Sequence, residues 1–278
     1  MSVISVGEAV VLGIVEGLTE FLPVSSTGHL KITEGLMGIP VDDRAVVGFT
    51  AVIQAGAIAA VLVYFFSDIR RIVTAWVRGI ADKDERHHHD YKFGWWVIYA
   101  TIPVVVVGVA AEDLISGPLA SLWVVAGSLL GGSAVMWLAD RYGRHRRGEG
   151  DTSLTDAMLI GCSQILAMLF PGFSRSGATI STGLLLGLDR VAATRLSFFL
   201  GIPALTGAAI YELPSALGSG AGVLPLIVGT VVSFIVAYAS IAWLLKFVSN
   251  HDFTSFVVYR IVIGLLLFGL LGAGTLNA

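Results

Sequence analysis

The sequence predicts an all-α polytopic membrane protein with six full transmembrane helices and two re-entrant helical hairpins in an inverted-topology repeat. Of the 278 residues, 55% are hydrophobic and only 13% are charged, against roughly 25% charged residues in soluble domains. Several apolar runs reach about 20 residues, the length at which a helix crosses a bilayer. Two further apolar segments are interrupted by proline, serine and glycine. Together these observations define the fold class.

The long apolar runs are predicted to be helices and not barrel strands. They lack the strict alternation of apolar and polar residues that lipid-facing barrel strands require. Each run can satisfy its backbone hydrogen bonds internally only as a helix. The six predicted spans are 46–66, 95–111, 119–139, 196–212, 222–246 and 256–274.

The distribution of lysine and arginine predicts the orientation. Basic residues are concentrated in segments 67–94 and 140–153, which are therefore expected on the cytoplasmic side. The connections around 112–113 and at 213–222 contain no basic residue and are expected outside. With this arrangement both chain termini are external.

The two interrupted segments, 5–36 and 154–187, are predicted to be re-entrant hairpins. Irregular backbone at membrane depth is tolerated only where it is buried in protein or lines a wet cavity. At an offset of 148, Pro23 aligns with Pro171 and Ser26 with Ser174. We therefore expect one integral membrane domain, 1–278, with inverted repeats at approximately 1–139 and 150–278 and a shared site near the midplane. Chance recurrence of proline and serine is the alternative.

The first hairpin carries two glycines and two carboxylates on one helical stripe. Gly13, Glu16, Gly17 and Glu20 follow the i, i+3, i+4, i+7 pattern. The glycines permit close approach of another backbone or a ligand. The carboxylates can hold a divalent cation, or one can act as a base; the alternative is a buried, protonated pair. In the second hairpin Met168 stands in the place of Glu20.

The turn "PVSSTGH" follows directly and contains Ser25, Ser26 and His29. A histidine three residues after a serine can reach its hydroxyl as a general base, which makes the serine a candidate nucleophile. The alternative is a core imidazole with structural hydrogen bonds. Because Ser25 and Ser26 are adjacent, only one of them can face a substrate, and we predict that Ser26 does.

The turn "PGFSRSGAT" of the second hairpin predicts a phosphate site. Arg175 lies between Ser174 and Ser176 at the start of a helix, with Thr179 one turn later. Helix N-termini attract phosphate, and a guanidinium can bind two phosphate oxygens at once. The alternative is an arginine that extends toward the membrane interface.

The segments "EGLTEFLPVSSTGHL" and "PGFSRSGAT" together resemble the bacterial undecaprenyl-diphosphate phosphatase family, also called the bacitracin-resistance protein family. The resemblance implies a membrane enzyme that hydrolyses undecaprenyl diphosphate to undecaprenyl phosphate and phosphate, which recycles the lipid carrier of cell-wall synthesis. It also implies a divalent cation, magnesium or calcium. The family motifs fall on Glu16, Glu20, Ser26, His29, Ser174, Arg175, Ser176 and Thr179.

The residues and the resemblance agree on phosphoryl transfer within the bilayer. Arg175 and a cation held by Glu16 and Glu20 are expected to neutralise the phosphate charge, while Ser26 attacks with His29 as base. A water activated by the cation is the alternative nucleophile.

The resemblance places the enzyme in the bacterial inner membrane with an external site and membrane lipids around it. A transporter or flippase of undecaprenyl phosphate, alone or as a second activity, is the alternative function. The net charge of −3 does not favour a nucleic-acid partner, and a homo-oligomer is compatible with the sequence.

Overall fold

The computed structural model describes residues 4–40, 43–111, 114, 119, 121–217 and 222–275. Within these residues the chain forms eleven α-helices and no β-strand. The helices are α1 (Val6–Thr19), α2 (Ser26–Met37), α3 (Arg44–Tyr64), α4 (Phe66–Ala81), α5 (His89–Ala110), α6 (Leu122–Tyr142), α7 (Leu154–Leu169), α8 (Arg175–Leu185), α9 (Arg190–Leu217), α10 (Val223–Val248) and α11 (Thr254–Gly272).

Six of these helices, α3, α5, α6, α9, α10 and α11, are long and apolar enough to cross a membrane. The predicted all-helical, multi-pass class is therefore confirmed. Helices α5 and α9 begin about one and a half turns before the predicted spans, because charged residues of their first turns are paired. Asp90 accepts a hydrogen bond from Arg71 at 2.9 Å, and Arg190 pairs with Asp140 at 2.7 Å.

The predicted polar connection 67–94 is largely helical, which corrects the sequence interpretation. It contains α4, a short 3₁₀ turn and the start of α5. Close packing against α5 stabilises α4, since Gly79 lies against the ring of Tyr91 and Gly94 against the ring of Trp76. Residues 112–113 and 218–221, which belong to the predicted external connections, lie outside the described residues.

The two short helix pairs, α1–α2 and α7–α8, have the same local design. Capping boxes begin both pairs: Ser5 with Glu8 at α1, and Ser153 with Asp156 at α7. Each first helix also packs against a spanning helix of the opposite half, α1 against α10 and α7 against α5. These contacts are compatible with re-entrant hairpins and an inverted repeat, which stay predictions.

The glycine stripe of α1 allows the closest of these contacts. A Cβ atom on Gly13 would lie 2.6 Å from the carbonyl oxygen of Gly229, and one on Gly17 would lie 2.7 Å from that of Ser233. Both distances are shorter than van der Waals contact, so any larger residue would separate α1 from α10. The predicted close backbone approach is confirmed, and it fixes the helix that carries both glutamates.

Candidate active site

Within each helix pair, the loop between the two helices ends on a serine. Both serines have the same unusual backbone conformation. Ser25 has φ 78° and Ser174 has φ 75°, a left-handed region that costs a non-glycine residue about 1 to 3 kcal/mol and occurs mainly at functional sites. Each serine caps the following helix, because its hydroxyl accepts a hydrogen bond from the N–H of Gly28 or Gly177. The two helix N-termini, α2 and α8, are thus built alike.

This shared conformation corrects the sequence register. The constant offset of 148 paired Ser26 with Ser174, whereas the structure pairs the two cap residues, Ser25 and Ser174, at an offset of 149. The second loop has one more residue between its proline and its cap than the first. As a result, Arg175 occupies in the second loop the position that Ser26 occupies in the first.

Glu20 lies between these two equivalent residues and binds both. The Ser26 hydroxyl donates to Glu20 Oε2 at 2.5 Å, and Arg175 Nη2 donates to Glu20 Oε1 at 3.3 Å. The side chains of Glu20 and Arg175 are only 4% and 14% exposed. Three residues predicted from two separate motifs, 155 positions apart at their extremes, therefore form one hydrogen-bonded group.

The other polar residues of the arginine motif hold the loops together. Ser176 donates to the carbonyl oxygen of Leu22 in the first loop at 2.9 Å. Thr179 shares a 2.6 Å hydrogen bond with the hydroxyl of Ser197 on α9, whose carbonyl oxygen also accepts from Arg175 Nη1 at 3.2 Å. The Arg175 guanidinium is thus held by the Ser197 carbonyl oxygen as well as by Glu20.

Glu16 lies one turn before Glu20 and is almost completely buried. Its Oε1 has no hydrogen-bond partner among the described residues, which is unusual for a buried polar atom. In the described part of the chain no cluster of three or more His, Cys, Asp or Glu residues suits a metal ion. Glu16 and Glu20 alone could contribute carboxylate oxygens, so a cation here would need further oxygen ligands from elsewhere.

His29 has a different environment from the predicted one. Its Nδ1 lies 2.8 Å from the carbonyl oxygen of Ser25, and its Nε2 lies 2.8 Å from the Tyr259 hydroxyl. A carbonyl only accepts hydrogen bonds, so Nδ1 carries the proton and, in the neutral ring, Nε2 accepts from the tyrosine. Both ring nitrogens are engaged away from Ser26, so the predicted serine–histidine contact is wrong for this conformation.

Arg260 of α11 links the two loops through hydrogen bonds. It is fully buried and donates to the carbonyl oxygens of Pro23 in the first loop and of Gly172 and Phe173 in the second, at 2.9, 3.2 and 2.9 Å. Its Nε donates to Ser133 Oγ at 3.2 Å. One guanidinium thus holds the backbone within two residues before each cap serine.

Sequence reasoning missed Arg260, Tyr259 and Ser197. For Arg260 a signal existed: it is a charged residue inside the predicted span 256–274, where ionisable residues normally have a functional partner. Tyr259 and Ser197 gave no such signal, because single tyrosines and serines are common in membrane helices. Their roles depend on contacts with distant segments.

Comparison with known proteins gives consistent matches over nearly the whole chain. A protein-family model described as bacitracin resistance protein BacA matches residues 9–266. A protein named undecaprenyl-diphosphatase 1 from Streptomyces avermitilis is 77% identical over 277 residues, covering 100% of both chains. Proteins of the same name from Streptomyces coelicolor and Frankia alni are 77% and 73% identical over 278 residues, again covering 100% of both chains.

Proposed function

Because the chain belongs to the bacitracin resistance protein BacA family, we infer that it is an undecaprenyl-diphosphatase. It is a multi-pass membrane enzyme that hydrolyses undecaprenyl diphosphate to undecaprenyl phosphate and inorganic phosphate. This reaction recycles the lipid carrier of cell-wall synthesis and underlies bacitracin resistance.

One observation carries the proposed chemistry: Glu20 accepts hydrogen bonds from both Ser26 and Arg175. Ser26 Oγ attacks the terminal phosphorus and its proton passes to Glu20, which is already its hydrogen-bond acceptor. The bond from phosphorus to the bridging oxygen breaks, and undecaprenyl phosphate leaves. Water then hydrolyses the phosphoserine. We therefore propose Glu20 as the base, in place of His29, which the sequence analysis predicted for this role.

Arg175 is proposed to bind the diphosphate oxygens through its guanidinium. Substrate binding would exchange its 3.3 Å contact with Glu20 for contacts with phosphate, which releases the carboxylate to accept the serine proton. The N–H groups of the first two residues of α2 and of α8 have no intrahelical acceptor and provide further donors, whereas those of Gly28 and Gly177 bind the cap serines. Ser25, Ser174, Ser176 and Thr179 support this site mainly by fixing the two loops.

A divalent cation, magnesium or calcium, is proposed to bind Glu16 and Glu20. The buried, unpartnered Oε1 of Glu16 fits such a ligand, and both cations prefer carboxylate oxygens. The cation would supply charge neutralisation at the phosphate oxygens. If Glu20→Gln responds to added magnesium as the unmutated enzyme does, Glu20 is a base and not a metal ligand.

The decisive experiment is phosphate release from a long-chain prenyl diphosphate by purified protein in detergent, with and without a chelator. We expect release that is lost on chelation and restored by magnesium or calcium. A pure transporter or flippase of undecaprenyl phosphate would release none. Release that survives full chelation would remove the cation from the proposal but leave the phosphatase activity intact.

The site is proposed to open on the external face of the inner membrane. The concentration of basic residues in 67–94 and 140–153 supports this orientation. Tags in these two segments should therefore be protected from protease in intact cells, while tags at either terminus should be accessible. Cleavage at 67–94 or 140–153 by protease added outside the cells would show that the orientation is the reverse of the proposed one.

A further inference from the structure

Helix α4 exposes an apolar stripe that is separate from the site. Phe66, Val73, Val77 and Ile80 are 63%, 51%, 54% and 50% exposed. Their spacing of 7, 4 and 3 residues places them on one face of a helix. The opposite face packs inward, where Ile72 and Gly79 are buried. The stripe therefore has no protein cover among the described residues.

The contacts of α4 place it across the end of α5. Arg71 binds Asp90, and Gly79 lies against Tyr91. The distance from residue 71 to residue 79 is about 12 Å along a helix axis, whereas their partners on α5 are only about 1.5 Å apart along its axis. Two parallel or antiparallel helices would not show this difference. Trp76 of α4 packs against Gly94 and Trp95, where the predicted span of α5 begins, so α4 lies at the level where the apolar spans begin.

Two arginines flank the stripe, and their side-chain contacts differ from those of Arg71. Arg70 and Arg78 are exposed, and neither has a hydrogen bond or ion pair within the described residues. Arg71, by contrast, pairs with both Asp68 and Asp90. Arg70 follows Phe66 by one turn, and Arg78 follows Val77 directly. Free positive charge thus borders exposed apolar surface at the membrane boundary.

We propose that α4 is an interfacial helix that binds anionic phospholipid. The acyl region covers Phe66, Val73, Val77 and Ile80, and the headgroup phosphates bind Arg70 and Arg78. Helices with an apolar face and a basic border lie in the plane of the interface, and their basic residues attract lipids with net negative charge. A zwitterionic lipid could cover the apolar stripe, but it lacks the net negative charge that would attract the two arginines.

The test compares two double variants that remove the same charge. Arg70→Gln with Arg78→Gln alters the α4 border, while Arg144→Gln with Arg146→Gln alters two exposed arginines that do not belong to α4. Neither pair belongs to the active site, so phosphate release in detergent reports that both variants are folded. Binding of dioleoylphosphatidylglycerol and of dioleoylphosphatidylcholine is measured by native mass spectrometry.

We expect the α4 variant to bind phosphatidylglycerol about tenfold more weakly, while its binding of phosphatidylcholine and the binding of both lipids by the control variant are unchanged. An equal loss in both variants would mean unspecific attraction to positive charge and would overturn the proposal. No loss in either would overturn it as well.

A second measurement tests the depth of the helix independently of lipid charge. In a Cys162→Ser background, spin labels are placed at Val77 and Arg78 by substitution with cysteine, and the protein is studied in vesicles containing phosphatidylglycerol. The label at 77 should collide preferentially with oxygen dissolved in the membrane, and the label at 78 with a water-soluble nickel chelate. If the label at 77 collides preferentially with the chelate, this face of α4 is exposed to water and the proposal is overturned.

Discussion

The two loops of the candidate site share one backbone design but carry different side chains, for which we propose different roles. Both end on a cap serine with positive φ, Ser25 and Ser174, and Arg260 donates to a carbonyl oxygen within two residues before each cap. The residue after each cap differs: it is Ser26 in the first loop and Arg175 in the second. The two loops therefore share one backbone conformation, while the proposed nucleophile lies in the first loop and the proposed phosphate-binding charge lies in the second.

The largest expected effect concerns the first loop, whose Ser26 is the proposed nucleophile. Ser26→Ala should lower kcat by at least ~10³-fold, and adding Glu20→Gln should cost little more, because groups that act as one unit are not additive. Thr27→Ala, which removes the adjacent exposed hydroxyl, should leave kcat near normal.

A different mechanism predicts a smaller loss at the same position. If water attacks the phosphorus directly, Ser26→Ala removes only a hydrogen bond and costs about 10- to 100-fold. A covalent phosphoserine, trapped with a phosphate analogue and detected by mass spectrometry, would appear only if Ser26 attacks.

The next effect concerns Arg260, which binds both loops. Arg260→Met should lower the free energy of unfolding by about 3 kcal/mol, because three buried loop carbonyls lose a charged donor. Arg71→Met, which removes ion pairs whose arginine side chain is 57% exposed, should cost less than about 1 kcal/mol. Unfolding of the two variants in mixed micelles measures the difference. Equal losses would mean that Arg260 is not a special link between the loops.

The third effect concerns the second loop. Arg175→Lys keeps the positive charge but loses the planar fork, so we expect kcat/KM to fall by about 10²-fold, with a higher KM as well as a lower kcat. Steady-state kinetics on the same prenyl diphosphate separate the two parameters. If only KM rises, Arg175 binds the ground state and the transition state equally, and it does not contribute to the chemical step.

The smallest effect should be identical in the two loops. Ser25→Ala and Ser174→Ala each remove a helix cap and should destabilise the protein by about 1 kcal/mol, whereas glycine at either position relieves the positive φ and should cost only a few tenths. Thermal unfolding compares the four variants. A glycine variant with normal stability but a raised KM would show that the serine hydroxyl itself binds phosphate.

Much of the fold could be predicted because it depends on local composition. Six apolar runs and two proline-interrupted segments are visible in the sequence without any knowledge of contacts. The same is true of the site's main residues, since a carboxylate stripe and an arginine between serines are unusual inside apolar segments.

The remaining features depend on three-dimensional contacts. The alignment of the two loops with each other depends on the positive φ angles of Ser25 and Ser174. The spacing of residues in the sequence does not reveal these angles. His29 was paired with Ser26 because the two are close in sequence, but its Nε2 partner is Tyr259, 230 positions away. Helix α4 was missed because its many charges suggested a polar connection; its packing against Tyr91 and Trp95 is a tertiary effect.

The position of Arg260 near the end of the chain has a consequence for biogenesis. The carbonyl it binds in the first loop belongs to Pro23, 237 positions earlier. At a synthesis rate of 5–20 residues per second, about 12 to 47 s pass between the translation of these two residues. The first loop must therefore form and persist without its hydrogen bond to Arg260. A ribosome that stalls before α11 would leave both loops without this contact.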